Sequence, residues 1–84
     1  MDFSGDTWRR ADLWPYQQVA AVIAAAIRSG DLAPGQRLPA QQRIAQMAGV
    51  SKSVVQNALA VLADQGLVYA VDRLGTFVAE RESE

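Results

Sequence analysis

The 84-residue chain contains no cysteine and no histidine. Without cysteine there is no disulfide framework and no thiolate metal site, a composition that suits a reducing, cytoplasmic compartment. Without histidine there is no imidazole base, no Ser-His pair and no zinc site of the usual His/Cys kind. A basic excess is also lacking: eight Lys and Arg stand against nine Asp and Glu, for a net charge of −1. Many nucleic-acid-binding domains are strongly basic, so the sum alone argues against that class. Long apolar runs are missing as well. The stretch 19–27 is only nine residues, approached through Asp12, Pro15, Gln17 and Gln18, whereas a membrane span needs about 20. Arg9-Arg10 ahead of it resembles the start of an export signal, but removing it as a leader would delete a helix the core requires. Between residues 36 and 76 the only acids are Asp64 and Asp72, which suit a helix end and a turn. No constellation for an enzyme, a metal or a cofactor emerges.

Half of the residues are hydrophobic, enough for one small core and one domain. The charges are unevenly placed. Residues 36–76 hold Arg37, Arg43, Lys52 and Arg73 against two acids, leaving +2, while the flanks hold four arginines against seven acids, leaving −3. The middle of the chain is mildly basic and its ends are acidic. Residues 1–11 have no period and read as a flexible arm, residues 12–79 as the domain, and residues 80–84 as an acidic, disordered tail. Trp8 and Trp14 are expected in the core, with a dimer contact as the alternative.

Within the domain, Pro15 suits the first turn of a helix. Tyr16, Val19, Val22, Ile23, Ala26 and Ile27 form one apolar stripe, and Gly30 closes that helix. Pro34-Gly35 punctuates a turn. Gln36-Arg37-Leu38 is long enough for a short strand, which Pro39 ends. The next helix starts near Ala40, a poor cap, so its first turn should fray. Ile44, Met47 and Ala48 give its buried stripe, and Gly49 stands where a helix end favours positive φ. Ser51 then caps another helix, in which Val55, Ala58, Leu59 and Leu62 recur at amphipathic spacing. Two helices joined by a short Gly-containing corner make a helix-turn-helix. Gly66 stops the second of them. Residues 67–71 and 76–78 flank a turn at Asp72-Arg73-Leu74-Gly75 and predict a hairpin, or wing, with Arg73 near its tip.

With the apolar stripe inward, the corner's second helix displays Lys52, Ser53, Gln56 and Asn57 at its N-terminal end. Lysine suits phosphate or guanine, and the two amides suit the donor-acceptor edge of adenine. In helix-turn-helix docking these N-terminal residues meet the base edges of DNA. An ordinary solvated helix face would display the same residue types, as an ordinary turn would Arg73.

The series Tyr16-Gln17-Gln18, Gly30-Asp31-Leu32, Pro34-Gly35, Arg37-Leu38-Pro39, Ala45, Gly49-Val50-Ser51, Val55, Ala58-Leu59, Leu62, Gly66-Leu67 and Gly75-Thr76-Phe77-Val78 resembles the winged helix-turn-helix domain of GntR-type bacterial transcriptional regulators. The likeness covers nearly the whole chain, and its specificity lies in the joint order and spacing of the segments. It implies a mainly α fold, a three-helix core with a two-stranded β-wing, and a homodimer on a palindromic double-stranded DNA operator. It further implies that the second corner helix enters the major groove and that the wing tip reaches the adjoining minor groove. Carried over by position, Lys52, Ser53, Gln56 and Arg73 are candidate contacts, and Gln42 occupies the contact position of the corner's first helix. Arg37, Arg43, Ser51 and Thr76 belong to the backbone or wing side.

The chain departs from that family where Arg is usual and Lys52 and Gln56 stand instead. It departs again at Ala40-Gln41-Gln42-Arg43, where Ser-Glu-Arg-Glu is usual, and at the wing, where Gly-x-Gly keeps only Gly75. Bidentate guanine reading is lost at those places, so a different, AT-richer operator or weaker DNA binding is expected. GntR-type regulators also continue into a metabolite-binding, dimerising domain. Here the chain stops past the wing, and its starting Met and acidic tail favour a stand-alone protein over an excised domain. Without a second domain no small-molecule effector site is identifiable, and the first helix with the arm is the preferred dimer surface. The expected function is a cytoplasmic DNA-binding repressor; the alternative is a winged helix used as a protein-interaction module, which the acidic pI, the missing arginines and the two tryptophans favour.

Overall fold

Three helices and an antiparallel hairpin follow one another in the computed structural model, which describes residue 3 and residues 13–80. Trp8, Arg9, Arg10 and residues 81–84 lie outside the described residues, and with them nearly all of the predicted arm and most of the acidic tail. Within the arm, Phe3 is described and is buried against the core.

Helix α1 (Pro15–Ser29) begins with proline at its first position, where the missing N–H would have had no partner anyway. The Gln17 side chain accepts a hydrogen bond from the Trp14 N–H at 3.0 Å, so one entry donor is satisfied. Gly30 ends the helix in the left-handed region, at φ 88°. Helix α2 (Gln41–Ala48) and helix α3 (Lys52–Asp64) form the corner. Gly49 takes φ 70°, which lets the Val50 N–H reach back to the Ala45 carbonyl at 3.1 Å. That bond closes α2 and turns the chain toward α3. Ser51 caps α3, its hydroxyl accepting from the Val54 N–H at 3.3 Å. Ala40 offers α2 no such acceptor, as its side chain dictates.

Helix α3 packs against α1, α2 and strand β1 (Val68–Val71), which makes it the centre of the core. Its predicted inward residues Val55, Ala58, Leu59 and Leu62 are all buried. They meet Val19, Ile23 and Ala26 of α1 and Ile44 and Ala48 of α2 in one cluster, with Leu32, Leu38, Leu67, Val68 and Val78 closing it. Fully burying one such aliphatic side chain contributes about 1.5–3 kcal/mol. Tyr16, Val22 and Ile27 of the α1 stripe are only partly buried, while Ala20 and Ala24 are buried. The small alanines therefore take the closest approach, and the bulkier residues cover its margin.

Two core expectations fail. Met47 is 40% exposed, and Ala45 takes the buried place. In so short a helix, the angle of α2 against α3 puts the i, i+1 and i+4 positions (Ile44, Ala45, Ala48) inward, and i+3 falls outside. Trp14 is 69% exposed, so it does not pack in the core. It sits just before Pro15, where the backbone turns into α1 and leaves the indole at the surface.

Strand β2 (Gly75–Val78) pairs antiparallel with β1, with Val68 opposite Val78, Tyr69 opposite Phe77 and Ala70 opposite Thr76. The Tyr69 and Phe77 rings stack at 5.8 Å between centroids. On its other edge β2 meets Arg37 through an isolated bridge to Phe77. The predicted strand at Gln36-Arg37-Leu38 is thus reduced to one bridging residue, because Pro34-Gly35 and Pro39 bound it closely on both sides. Even so, it is well tied. The Leu38 N–H donates to the Thr76 carbonyl and the Val78 N–H to the Gln36 carbonyl, both at 2.8 Å.

Candidate nucleic-acid interface

The bridge at Arg37 determines where the site lies. By holding the chain ahead of α2 to β2, it brings the first turn of α2 beside the root of the wing. A cleft of about 300 Å³ opens there, lined by Arg37, Pro39, Gln41, Gln42, Lys52 and Thr76 among others. Lys52 is the first residue of α3, so the N-termini of two helices open on this cleft. Each helix N-terminus carries roughly half a positive charge and free N–H donors. None of the three helices has an acid in its first turn. A neighbouring hollow continues from Arg37, Gln41 and Lys52 along Asp72, Arg73 and Thr76. Three cations there face one carboxylate, a local excess of positive charge on a chain of net −1. Such a surface can hold anions and hydrogen-bond acceptors in a row.

Arg37 does not wave freely in this cleft. A Cβ placed on Gly75 would lie 2.9 Å from the Arg37 Nε, so the guanidinium rests on the bare glycine backbone at the base of the wing. Glycine there serves two purposes, since its φ of 123° also lies in a region L side chains rarely enter.

On α3, Ser53, Gln56 and Asn57 are exposed, as Lys52 is. Val55, Ala58 and Leu59 of the same turns are buried, so α3 has a polar outer face, as the spacing predicts. Ser51 is exposed, but its hydroxyl is engaged in capping. Arg43 is separated from Lys52 by the ridge formed by Arg37, Leu38, Pro39 and Ala40. It lines a second hollow with Asp31, Gln36 and Met47. The ten predicted residues thus divide into three groups: Arg37, Gln42, Lys52, Arg73 and Thr76 in the continuous cleft, Ser51 at the cap of α3 with Ser53, Gln56 and Asn57 on its outer face, and Arg43 on the far side of the ridge. Sequence reasoning missed Gln41. It is the first residue of α2, and the uncapped start at Ala40 was the available signal that this turn faces outward.

At the wing tip the Leu74 N–H donates to the Val71 carbonyl at 3.1 Å, closing a turn over Asp72 and Arg73. Arg73 takes φ 68° and is the non-glycine residue with positive φ among the described residues. Beside it Leu74 is 57% exposed.

The profile of the family described as "Bacterial regulatory proteins, gntR family" matches residues 15–78. The chain is 33% identical over 69 residues to the HTH-type transcriptional repressor NagR of Bacillus subtilis, covering 82% of this chain and 28% of that protein. It is 39% identical over 66 residues to the Uxu operon transcriptional regulator of Escherichia coli, covering 79% and 26%. The chain therefore spans about a quarter of the length of these curated relatives. Among solved structures, the DNA-binding domain of AraR in complex with operator ORX1 superposes with a TM-score of 0.78 at 39% identity, covering 80% of this chain and 81% of that one.

Proposed function

The chain belongs to the GntR family of bacterial regulatory proteins, and from that membership we propose that it is a sequence-specific DNA-binding element of a transcriptional repressor. The observation that carries this is the shared cleft: Lys52 at the start of α3, the uncapped first turn of α2 and the root of the wing face one side of the molecule. A duplex lying on that side would receive α3 in its major groove, with Lys52, Ser53, Gln56 and Asn57 facing the groove: Ser53, Gln56 and Asn57 at the base edges and Lys52 on a flanking phosphate. Arg37, Gln42, Ser51, Thr76 and the free N–H groups of α2 would take the phosphates on one side of α3, and Arg43 those beyond the ridge. The solved AraR domain in complex with an operator, similar in fold and at 39% identity, supports DNA as the ligand.

The same reading has the protein act in the cytoplasm as a homodimer on a palindromic site, since one α3 covers only a half-site. Attraction by phosphate is modest. Each phosphate neutralised contributes about −0.9 to the slope of log K against log salt. Arg37, Arg43, Lys52 and Arg73 therefore limit the slope to roughly −3.6 per subunit.

Selection of random duplex DNA on the purified protein at about 0.1 M salt, read by sequencing, tests the proposal. An enriched palindrome is the expected result. No enrichment by a folded protein would sink it and leave the protein-interaction module as the better account. On the selected duplex, Lys52→Ala is expected to weaken binding on all sequences and reduce the salt slope by about 1. Gln56→Ala is expected to relax preference at one base position, by about 1–3 kcal/mol. Equal losses on operator and random DNA for both variants would overturn these roles.

A further inference from the structure

Resting on the homodimeric DNA-binding reading above, we infer that two copies of this chain meet on the outer face of α1, with the helices antiparallel and Trp14 of each copy packed on Arg28 of the other. The face is unusual in what it lacks. Arg28, in the last turn, is the only charged residue among the 15 of α1, although the outer side of a surface helix ordinarily carries charged and polar residues. At helical spacing Trp14, Gln18, Ala21, Ala25 and Arg28 fall on one stripe, and Trp14, Ala21, Ala25 and Arg28 are exposed. Gln18 adds little polarity there, because its amide donates to the Leu13 carbonyl at 2.8 Å. Beside the stripe a groove of about 320 Å³ runs between α1 and the end of α3, lined by Leu13, Ala21, Arg28, Val61 and Gln65 among others. No residue of α1 lines the cleft or the hollow at the wing, so DNA held there leaves this face open.

The occupant follows from the symmetry of the pattern. Alanines permit close approach but specify no partner. Trp14 and Arg28 do, since each stands seven residues from Ala21. In an antiparallel pair with its two-fold axis at Ala21, the Trp14 indole of one copy meets the Arg28 guanidinium of the other, on both sides of the axis. Each contact lies about 10 Å from the axis at 1.5 Å per residue, and tryptophan is the aromatic side chain that best attracts a cation to its face. A parallel pair would instead set Arg28 against Arg28 and place like ends of the helix dipoles together. The face therefore complements its own reversed copy, as an isologous interface requires. Its extent sets the strength. Two helices about 22 Å long and two indoles cover on the order of 800–1,000 Å², short of the roughly 1,200–2,000 Å² of a stable specific interface. The pair is accordingly weak in solution and is completed when a palindrome brings two copies together, each raising the effective concentration of the other.

Cross-linking tests the pairing directly, because the chain has no native cysteine. Under mild oxidation of the purified chain, Ala21→Cys, at the axis, is expected to form a covalent dimer about tenfold faster than Ala25→Cys, whose Cα atoms an antiparallel pair holds beyond the ~7 Å reach of a disulfide. Equal rates would mean random collision or parallel helices, and no cross-linking of Ala21→Cys would leave the face to some other partner; either result overturns the inference. Ala21→Glu, which sets two carboxylates together at the axis, gives the second readout. It is expected to bind a duplex carrying one half-site as tightly as the wild type does, and the selected palindrome about tenfold more weakly. Equal weakening on both duplexes, or none on either, would also overturn the pairing while leaving the DNA-binding reading intact. If the wild type enriches no palindrome, the DNA-binding reading falls instead, and the cross-linking still decides whether α1 pairs.

Discussion

Replacing Ala40 by serine or by aspartate separates what the first turn of α2 needs for folding from what it offers to DNA. Ala40 occupies the cap position with extended backbone (φ −57°, ψ 149°) and no side-chain acceptor. The Ile44 N–H is the first to be bonded within the helix, to the Ala40 carbonyl at 3.0 Å. The donors of Gln41, Gln42 and Arg43 precede it and have no acceptor in the helix. A serine hydroxyl at residue 40 can accept from one of them, as Ser51 does for α3. The gain is about 1 kcal/mol, or roughly 4–8 °C in Tm for a domain of this size. Aspartate would add about 0.3–1 kcal/mol through the helix dipole. On DNA the two should diverge. Serine leaves the charge of the cleft unchanged, whereas aspartate puts a carboxylate between Arg37 and Lys52, where the proposed phosphate lies. The aspartate variant is expected to melt highest and bind weakest, with its salt slope reduced by about 1 per subunit. Thermal melts by circular dichroism and anisotropy titrations over a salt series measure both. An unchanged or lowered Tm for Ala40→Ser would refute the idea that these donors lack partners. Undiminished affinity of Ala40→Asp would refute the cleft as a phosphate site.

Two further substitutions test the scaffold. Gly75→Ala adds a methyl 2.9 Å from the Arg37 Nε at a φ of 123°; it should destabilise by about 1–3 kcal/mol in urea titration and weaken DNA binding well below its Tm, because Arg37 must move. Wild-type affinity at low temperature would mean that the seating of Arg37 on Gly75 is immaterial. Leu62→Ala removes a side chain only 1% exposed in the core centred on α3; a loss of about 2–5 kcal/mol is expected, and a loss below about 1 kcal/mol would contradict the central place of α3 in the core.

The sequence was most legible where one physical demand governed a residue. Gly49 and Gly66 marked helix ends because each closes its helix in the left-handed region. Ser51 announced α3 because a hydroxyl there has an N–H to accept from, and the spacing of Val55, Ala58, Leu59 and Leu62 gave the face of α3 directly. Legibility failed where two elements share the decision. The periodicity of α2 cannot distinguish Ala45 from Met47, since the crossing of α2 over α3 selects between them. Trp14 looked like core by its size, but the turn into Pro15 decides its direction. At the site, the residue types on α3 were visible in advance. The continuity from Lys52 through Arg37 to Arg73 was not, because it depends on a single bridge between residues 40 positions apart. The unusual backbone of Arg73 was hidden for a similar reason: Asp72-Arg73-Leu74-Gly75 announces a turn but not which residue bears its positive φ.

Strand β2 has neighbours on both edges, and this limits how the protein can accommodate its target. A two-stranded hairpin could swing as a flap. Here, swinging the root of the wing would break the Leu38–Thr76 and Val78–Gln36 bonds on one edge while dragging β1, and hence α3, on the other. In the proposed complex, the separation between the bases met by α3 and the flank met by the wing would therefore be settled before DNA arrives, and little conformational freedom would be lost on binding. The fold acts as a gauge. One extra base pair between those two regions shifts the flank by about 3.4 Å and turns it by roughly 35° around the duplex axis, a displacement that the root of the wing has no slack to follow.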